Sequence, residues 1–281
     1  MIKTTNKSTM SNTQPLTLDV IIPCYNATAT LERAVHSTLG QSACRRLILI
    51  DDGSHDNTPA LIRKFSQDYP NKISALAFAD NQGAAAARNF AAMTSTADLL
   101  AFLDADDAYE AHALDIMPSL FNMMPMLSLV RLRLTPVSFP QKYTKHPDFA
   151  QSWDNLQMTV GGNTIFRRSL FLACGGFPQD ELFCRLGGED AALGIALAES
   201  SMVGTLFDDV HAGVLHYYHK NIHATRLLDA ALFGISDPKI CDTDMAAAHA
   251  ISERIKRQLT AIYPIINNES IGRTPLVLTY S

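Results

Sequence analysis

The stretch Leu99-Leu100-Ala101-Phe102-Leu103-Asp104-Ala105-Asp106-Asp107-Ala108-Tyr109 decides the fold of this chain. Five apolar residues lead directly into three carboxylates. An unbroken apolar run of this length predicts a strand that is buried on both faces of a sheet. The acids follow the C-terminal end of that strand, which is where open α/β sheets bind ligands. The sequence therefore predicts a ligand site at this position.

Asp104 and Asp106 lie two positions apart, so in extended backbone they would share one side of the strand. Carboxylates this close repel each other unless a cation or hydrogen-bond donors compensate. Their oxygens suit Mg²⁺ or Mn²⁺, usually completed by water and substrate phosphates. Two interpretations stay open from these residues alone. One is a divalent cation that holds a diphosphate, and the other is an acidic turn that caps the next helix.

Before this stretch, strand and helix patterns alternate three times. Thr58 followed by Pro59 is a strong helix start, because proline suits the first helical position. The predicted strands cover 18–22, 47–50, 73–78 and 99–103, and the predicted helices cover 29–39, 59–69 and 84–93. This alternation is typical of a parallel sheet with helices on both faces. The loops at the C-terminal ends of the strands should therefore converge, which brings together the loop residues Tyr25, Asp52 and Gly83.

The second half has a less regular pattern. We predict an irregular loop from Thr135 to Trp153, and a close backbone approach at Gly161-Gly162. The predicted helices cover 111–117, 168–174, 189–200 and 245–262, and the predicted strands cover 127–134, 203–208 and 214–218, with another after Gly162. The apolar residues from Ile116 to Leu134 and the C-terminal helices suit a membrane surface or a homodimer contact, and suit core packing equally well.

The composition describes an ordinary globular protein with a core, since 47% of the 281 residues are hydrophobic and 18% are charged. A net charge of -5 gives no reason to expect nucleic acid as a partner. Five cysteines without a CxxC pair indicate neither a disulfide framework nor a zinc site, and suit reduced thiols in a cytoplasm. We expect residues 1–15 to be a disordered lead-in rather than a secretory signal. We also expect no membrane span. The expected location is cytoplasmic, either free or peripheral at the inner membrane face.

Several segments match one enzyme family in the family's own order. The chain resembles the inverting family-2 glycosyltransferases, which use nucleotide sugars and have the GT-A fold, a Rossmann-like α/β fold with a mostly parallel central sheet and helices on both faces. The resemblance covers about 18–220. The matching segments are Val20-Ile21-Ile22-Pro23-Cys24-Tyr25-Asn26, Ile50-Asp51-Asp52-Gly53-Ser54-His55-Asp56, Asn81-Gln82-Gly83 with Ala87-Arg88-Asn89, Phe102-Leu103-Asp104-Ala105-Asp106-Asp107, Phe166-Arg167-Arg168, Gly175-Gly176-Phe177 and Gly188-Glu189-Asp190.

The resemblance implies a nucleotide-sugar site at the sheet edge. Asp52 would accept a hydrogen bond from the base, although an Asx-turn at Gly53 is an alternative role. Gly83 would let the backbone approach the nucleotide. Arg88 would bridge the base or phosphate to the acidic loop, and its alternative is a solvated helix charge. The residues expected to line the nucleoside pocket are Pro23, Tyr25 and Asn26.

The resemblance also implies a bound divalent cation, Mn²⁺ or Mg²⁺. The sequence Asp104-Ala105-Asp106 matches the family's DXD element, in which Asp106 would bind the metal and Asp104 the ribose or the metal. Asp107 is a third acid that either joins them or is structural. His216 and His219 lie where some GT-A enzymes place a histidine ligand to the metal, and a polar strand end is the alternative for both.

Asp190 matches the general base of the family's Glu-Asp pair. An inverting transfer needs one base on the acceptor hydroxyl and no covalent intermediate. Successive helical residues diverge by about 100°, so only one of Glu189 and Asp190 can point squarely at the acceptor, and we predict Asp190.

Two departures from the family pattern limit the inference. Ala196 stands where many relatives have an arginine, and no QxxRW element follows the Glu-Asp pair. We therefore expect addition of a single sugar from a nucleotide sugar, with UDP-sugar as the expected donor and a glycan, lipid-linked sugar or small molecule as acceptor. The expected domains are a nucleotide-binding half (16–110), an acceptor-binding half (111–220) and a C-terminal helical extension with a tail (221–281).

Three other function classes were compared with this prediction. A catalytically silent GT-A domain that binds a sugar or a protein partner remains open because of Ala196. A nucleotidyltransferase typically has a Gly-rich, basic loop after the first strand, and here that loop is Pro23-Cys24-Tyr25-Asn26. A dinucleotide dehydrogenase is disfavoured because no GxGxxG follows that strand.

Overall fold

The structure is a computed structural model that describes residues 15–220, 222–235 and 237–266. The polar segment before residue 15 and the tail after 266 lie outside the described residues. In chain order the strands are β1 Leu18–Cys24, β2 Cys44–Asp52, β3 Ile73–Phe78, β4 Leu99–Phe102, β5 Ala108–Tyr109, β6 Leu127–Leu132, β7 Leu134–Val137, β8 Thr164–Arg167, β9 Met202–Leu206 and β10 Val214–Tyr217. The helices are α1 Leu31–Leu39, α2 Thr58–Asp68, α3 Ala84–Thr94, α4 Met117–Met123, α5 Gln141–Thr144, α6 Phe149–Gln157, α7 Arg168–Ala173, α8 Glu181–Leu186, α9 Glu189–Ser200, α10 His223–Phe233 and α11 Asp242–Ile266.

The predicted mostly parallel sheet is confirmed. Seven strands lie in the order β3-β2-β1-β4-β8-β6-β9. All neighbouring pairs are parallel except those of β8, which is antiparallel to both β4 and β6. The first four strands all end at the same edge, so the loops that follow them lie together there.

The apolar strand runs are explained by burial on both faces of the sheet. In β1, Val20 and Ile22 pack into one half of the core and Ile21 into the other. Helices α1 and α2 cover the first face through residues such as Leu31 and Phe65. Helix α3 covers the second face through small alanines, which lets it lie close to the strands.

A second sheet of three strands lies beside the main one, in the order β5-β10-β7. The predicted strand 127–134 is therefore two strands, β6 and β7, that belong to different sheets. The predicted irregular loop from Thr135 to Trp153 was wrong, because it contains most of β7, all of α5 and the start of α6. The indole N–H of Trp153 donates to the Leu134 carbonyl at 2.7 Å, and the Leu134 N–H donates to Gln157 at 2.7 Å. Side chains of α6 thus satisfy the backbone where the chain changes sheets.

The helix predicted over 111–117 was also wrong. Residues 111–116 form turns, and α4 begins at Met117. His112 has φ +68°, a left-handed conformation that interrupts a right-handed helix. Pro118 lies in the first turn of α4, where proline is favoured.

The C-terminal helices pack onto the main fold. Helix α11 lies along α9 and contacts α7 and α8, and α10 contacts α6. Ile255 and Leu259 of α11 are buried in the core. The helix predicted over 245–262 is confirmed within the longer α11. No helix among the described residues is both long and apolar enough to cross a membrane.

Candidate active site

A cavity of about 460 Å³ opens at the C-terminal ends of β1, β2 and β4. Tyr25 is 47% exposed at this site, whereas Asp52 is buried. The structure brings together here all nine residues that the sequence assigned to the nucleotide sugar. They are Pro23, Tyr25, Asn26, Asp52, Gly83, Arg88, Asp104, Ala105 and Asp106.

Asp52 holds the loop that follows β3. One carboxylate oxygen accepts the backbone N–H of Gln82 at 2.7 Å, and the other accepts that of Gly83 at 2.9 Å and the Asn81 amide at 3.1 Å. Burial raises the pKa of this carboxyl, against those hydrogen bonds. Gly83 has φ +90°, which other residues rarely adopt, and its backbone lies against the cavity. Asp52 therefore holds the loop that forms one wall of the cavity.

The acidic loop after β4 is fixed by residues far away in the sequence. Arg33 of α1 donates to the backbone carbonyl of Asp106, and its guanidinium lies 3.6 Å from the ring centroid of Tyr217. The side chain of Asp106 contacts His219, with 2.8 Å between Oδ2 and Nε2. Arg33 and Tyr217 were not among the predicted site residues, and no spacing pattern in the sequence marks them.

Asp107 and His216 form a buried pair beside this loop. Asp107 Oδ2 lies 2.7 Å from His216 Nδ1, and its Oδ1 accepts the backbone N–H of Tyr217 at 3.1 Å. Burial raises the pKa of Asp107 to about 6, against the attraction of His216. His216 is only 5% exposed and lies in β10 one residue before its end, so its position also agrees with the alternative of a polar strand end. Its Nε2 is buried and has no hydrogen-bond partner among the described residues.

This arrangement fits a metal-binding histidine. Such a histidine almost always donates its other ring N–H to a carboxylate, a backbone carbonyl or water, which fixes the ring. His216, whose Nε2 has no partner among the described residues, lines a cavity together with Asp104 and Asp106. Ligand oxygens of Asp104, Asp106 and Asp107 lie within 4.8 Å of one another. Carboxylate oxygens of this kind suit Mn²⁺ or Mg²⁺.

Arg88 of α3 joins the acidic loop to the Glu-Asp pair. It is 4% exposed, so the alternative of a solvated helix charge was wrong. Its guanidinium lies 2.5 Å from Asp104, 3.2 Å from Asp190 and 3.8 Å from Glu189. Burial opposes its charge, but these three carboxylates raise the pKa of Arg88 overall. One buried cation thus compensates three acids that would otherwise repel.

Glu189 and Asp190 occupy the first turn of α9, where the helix dipole favours acids. Burial raises the pKa of Glu189 to about 7, helped by Asp190 and opposed by Arg88. Burial also raises the pKa of Asp190, again opposed by Arg88. Asp190 is fixed at both oxygens, since Oδ1 accepts from Arg88 at 3.2 Å and Oδ2 accepts the Gly161 N–H at 2.8 Å. Each oxygen keeps a free lone pair for a proton.

The close approach predicted at Gly161-Gly162 is confirmed. A Cβ on Gly161 would lie 2.7 Å from Asp190 Oδ1, and one on Gly162 would lie 2.7 Å from Asp104 Oδ2. Arg131 of β6 supports this loop by donating to the Val160 carbonyl at 2.7 Å. Burial lowers the pKa of Arg131 to about 10, with Asp190 opposing the shift. Arg131 was not among the predicted site residues, although a single charge inside the apolar run Leu127-Ser128-Leu129-Val130-Arg131-Leu132 is a usable signal.

A second cavity of about 640 Å³ contains Glu189 and Asp190. Its outer wall is formed by α8, α9, α10 and α11. The two cavities share the residues Ala84, Arg88, Asp104, Asp106 and His219. The acidic loop therefore lies at a junction, with the 460 Å³ cavity on one side and the Glu-Asp pair on the other.

Residues 19–174, more than half of the chain, match the family model described as glycosyl transferase family 2. The chain belongs to this glycosyltransferase family. Among curated relatives, the minor teichoic acid biosynthesis protein GgaA of Bacillus subtilis is 37% identical over 168 residues, covering 53% of this chain and 36% of the relative. The glucosyltransferase WfgD of Escherichia coli, named for transfer to α-D-GlcNAc-diphosphoundecaprenol, is 35% identical over 104 residues, covering 37% of this chain and 40% of the relative.

Solved structures show the same fold. A fragment of TarS from S. aureus in complex with UDP aligns with TM-score 0.56 and 17% identity, covering 93% of this chain and 76% of that one. The mannosyltransferase PcManGT from Pyrobaculum calidifontis, in complex with GDP-Man and Mn²⁺, aligns with TM-score 0.57 and 20% identity, covering 89% and 76%. This family-2 glycosyltransferase spans only about a third of the length of the first curated relatives, 35% and 36%. The family match ends before Glu189, so the Glu-Asp pair lies outside it.

Proposed function

We propose that this protein is an inverting glycosyltransferase that moves a single sugar from a nucleoside-diphosphate sugar to an acceptor hydroxyl. The observation that supports this most is the junction of the two cavities. Arg88 contacts an acid of the DXD loop and both acids of the Glu-Asp pair. A donor sugar bound in the 460 Å³ cavity would thus lie within reach of the Asp190 carboxylate, which lines the 640 Å³ cavity.

Asp190 is the proposed general base. The acceptor hydroxyl loses its proton to the Asp190 carboxylate while its oxygen bonds to the anomeric carbon. The bond from that carbon to the diphosphate breaks, and the diphosphate leaves with the electron pair. Burial raises the pKa of Asp190, which makes its carboxylate a better proton acceptor. Contacts with Arg88 and Gly161 hold the Asp190 carboxylate in one orientation. The contact between Glu189 and Arg88 is longer, at 3.8 Å, so it fixes Glu189 less well.

A divalent cation, Mn²⁺ or Mg²⁺, is the proposed cofactor. Asp106 and Asp104 would hold it, with His216 completing the set through Nε2 and His219 as an alternative imidazole. When bound, the cation would neutralise charge on the leaving diphosphate. Arg33 keeps the backbone of the acidic loop in place, and Asp107 orients His216.

UDP is the proposed nucleotide. Similar folds are seen with UDP, with UDP-GlcNAc and with GDP-Man, so the nucleotide is not decided by the fold. The experiment is calorimetric titration of UDP, GDP, CDP and dTDP into the protein with and without Mn²⁺. We expect Mn²⁺-dependent binding of UDP in the wild-type protein, at least tenfold weakened by Asp106→Asn. The matched control is Asp68→Asn, which removes an exposed acid of α2.

The base is tested by the release of UDP from a panel of UDP-sugars. Asp190→Asn should abolish release and leave UDP binding unchanged, whereas Glu189→Gln should retain release. Loss of UDP binding in Asp190→Asn would make Asp190 structural. Binding without any release or transfer would favour the second candidate, a silent sugar-binding domain, for which the absence of an arginine at Ala196 is the supporting observation. Absence of any nucleotide binding would contradict the transferase proposal.

A further inference from the structure

We propose that the larger cavity binds an aliphatic chain of the acceptor, so that the acceptor is a lipid-type glycoside with its sugar hydroxyl at Asp190. This inference rests on the proposed function and specifies its acceptor. It concerns the outer part of the 640 Å³ cavity, away from the acidic loop.

The outer wall of this cavity is mostly aliphatic, and polar side chains interrupt it at His223, Arg226, Asp244, His249 and Ser252. Four different helices, α8 to α11, contribute to it, together with the loops between them. Phe183 is the one phenyl ring among the described lining residues, and the outer helices add the imidazoles of His223 and His249, so aliphatic groups outnumber rings in the wall. Methyl and methylene groups of this kind suit a flexible hydrocarbon chain. The side chains that provide them are Leu182, Leu186, Ile195, Ile222, Leu227 and Met245.

Polarity changes along the cavity in the direction that an amphipathic acceptor requires. The inner end contains Asp190, Glu189 and Arg88, which suit hydroxyl groups. At the outer end, Ile195 is 50% exposed and Met245 is 62% exposed. Exposed apolar side chains that line one concave surface usually mark a binding site. The occupant therefore has a polar end at the base and an apolar end that leads outwards.

The position of the cavity identifies the occupant as the acceptor. Its inner end is the Glu-Asp pair, so any molecule that fills the cavity lies against the proposed base. The 460 Å³ cavity proposed for the donor is a separate space that shares only the residues at the junction. The outer wall comes from helices after residue 174, outside the part of the chain that matches the family model. Acceptor choice is thus a property of this chain's own C-terminal part.

The test measures how binding depends on alkyl chain length. The probes are n-alkyl β-D-glucosides with six, seven and eight carbons, used below their micelle-forming concentrations, with phenyl β-D-glucoside for comparison. Affinity should rise about fourfold for each added methylene, because each buried methylene contributes a constant transfer free energy. Phenyl β-D-glucoside should bind more weakly than the octyl compound. With ¹³C-methyl methionine labelling, the Met245 signal should shift while that of Met123, exposed on α4, should not.

Two variants, each checked for intact UDP binding, separate a change in the cavity wall from a loss of the fold. Ile195→Ser with Met245→Ser removes two exposed wall side chains and should weaken octyl glucoside binding at least tenfold by calorimetry. The matched control, Met123→Ser, removes an apolar side chain that is 73% exposed and lies outside the cavity. Neither variant changes a residue of the proposed donor site. The Mn²⁺-dependent binding of UDP should therefore stay unchanged in both.

Several outcomes would overturn the proposal. Affinity that does not depend on chain length, or tighter binding of the phenyl glucoside, would exclude an aliphatic chain. A dimer that octyl glucoside dissociates in sedimentation would make a second copy the occupant. A tenfold gain in octyl affinity from Leu276→Ser with Leu278→Ser would make the chain's own C-terminal residues the occupant. UDP binding is measured separately, so a failed chain-length test beside intact UDP binding would refute this inference and leave the proposed function standing.

Discussion

The backbone N–H of Gly161 donates to Oδ2 of Asp190 at 2.8 Å, and the Cα of the same glycine lies so close that an added Cβ would be 2.7 Å from Oδ1. The loop before β8 thus sets the orientation of the proposed base from both sides. The neighbouring Gly162 makes a close approach of the same kind to Asp104, since its added Cβ would be 2.7 Å from Oδ2. Two consecutive glycines therefore lie against one acid of the proposed chemistry and one acid of the proposed donor site.

Gly161→Ala should reduce turnover more than it reduces nucleotide binding. The new methyl group has to displace the Asp190 carboxylate, and a misplacement of about 1 Å in a catalytic group can reduce the rate about 100-fold. Overpacking should also lower the free energy of unfolding by about 1–3 kcal/mol. The measurements are the rate of sugar transfer, UDP binding by calorimetry and thermal unfolding. Gly40→Ala is the control, because its Cβ would meet other atoms only at 3.5 Å and beyond. Equal rates in the two variants would contradict the proposed role of Asp190.

Gly162→Ala should have the complementary effect. Its methyl group has to displace Asp104, so we expect Mn²⁺-dependent UDP binding to weaken about tenfold. The Gly161 N–H and its bond to Asp190 remain available in this variant. Calorimetry with and without Mn²⁺ separates the metal-dependent part from the rest. If UDP binding without Mn²⁺ fell as much as binding with Mn²⁺, the variant would have damaged the fold rather than the metal site.

The sequence was sufficient to predict the nucleotide-binding half of the fold, because there the apolar runs are long and the helices alternate with them regularly. It was also sufficient to bring nine distant residues to one cavity, since parallel strands end at one edge. It failed between Thr135 and Trp153, where β7 and α5 have only four residues each and the apolar spacing of α6 extends past Trp153 to Leu156. Arg33 and Arg131 were missed because each supports a backbone carbonyl, and such contacts leave no spacing pattern in the sequence.

Glu189→Gln should stabilise the protein at alkaline pH and not at acid pH. Burial raises the pKa of Glu189 from 4.5 to about 7, so the folded state binds more protons than the unfolded state between these values. The free energy of unfolding therefore falls as the pH rises from about 5 to 8, and glutamine removes this penalty. Without metal, the Tm of the variant should exceed that of the wild type by roughly 3–8 °C at pH 8 and by little at pH 5.

The control for this comparison is Glu32→Gln, which removes an acid whose side chain is 71% exposed on α1. Thermal unfolding is followed by circular dichroism at each pH in the presence of a chelator. A Tm difference for Glu189→Gln that is the same at pH 5 and pH 8 would mean that the effect comes from packing. A difference that grows as the pH falls would contradict the raised pKa.

His216→Gln and Asp107→Asn should each weaken Mn²⁺ binding in the absence of nucleotide. The first removes the buried Nε2 that has no partner among the described residues, and the second removes the carboxylate that holds Nδ1 at 2.7 Å. Loss of a carboxylate that orients a metal-binding histidine typically costs 10–100-fold in metal affinity. Free Mn²⁺ measured by electron paramagnetic resonance gives the affinity directly. His211→Gln is the matched control, because His211 pairs with Asp208 on the surface and lines neither cavity. Unchanged Mn²⁺ affinity in His216→Gln, with Asp106→Asn weakened, would exclude His216 and leave the carboxylates as the metal site.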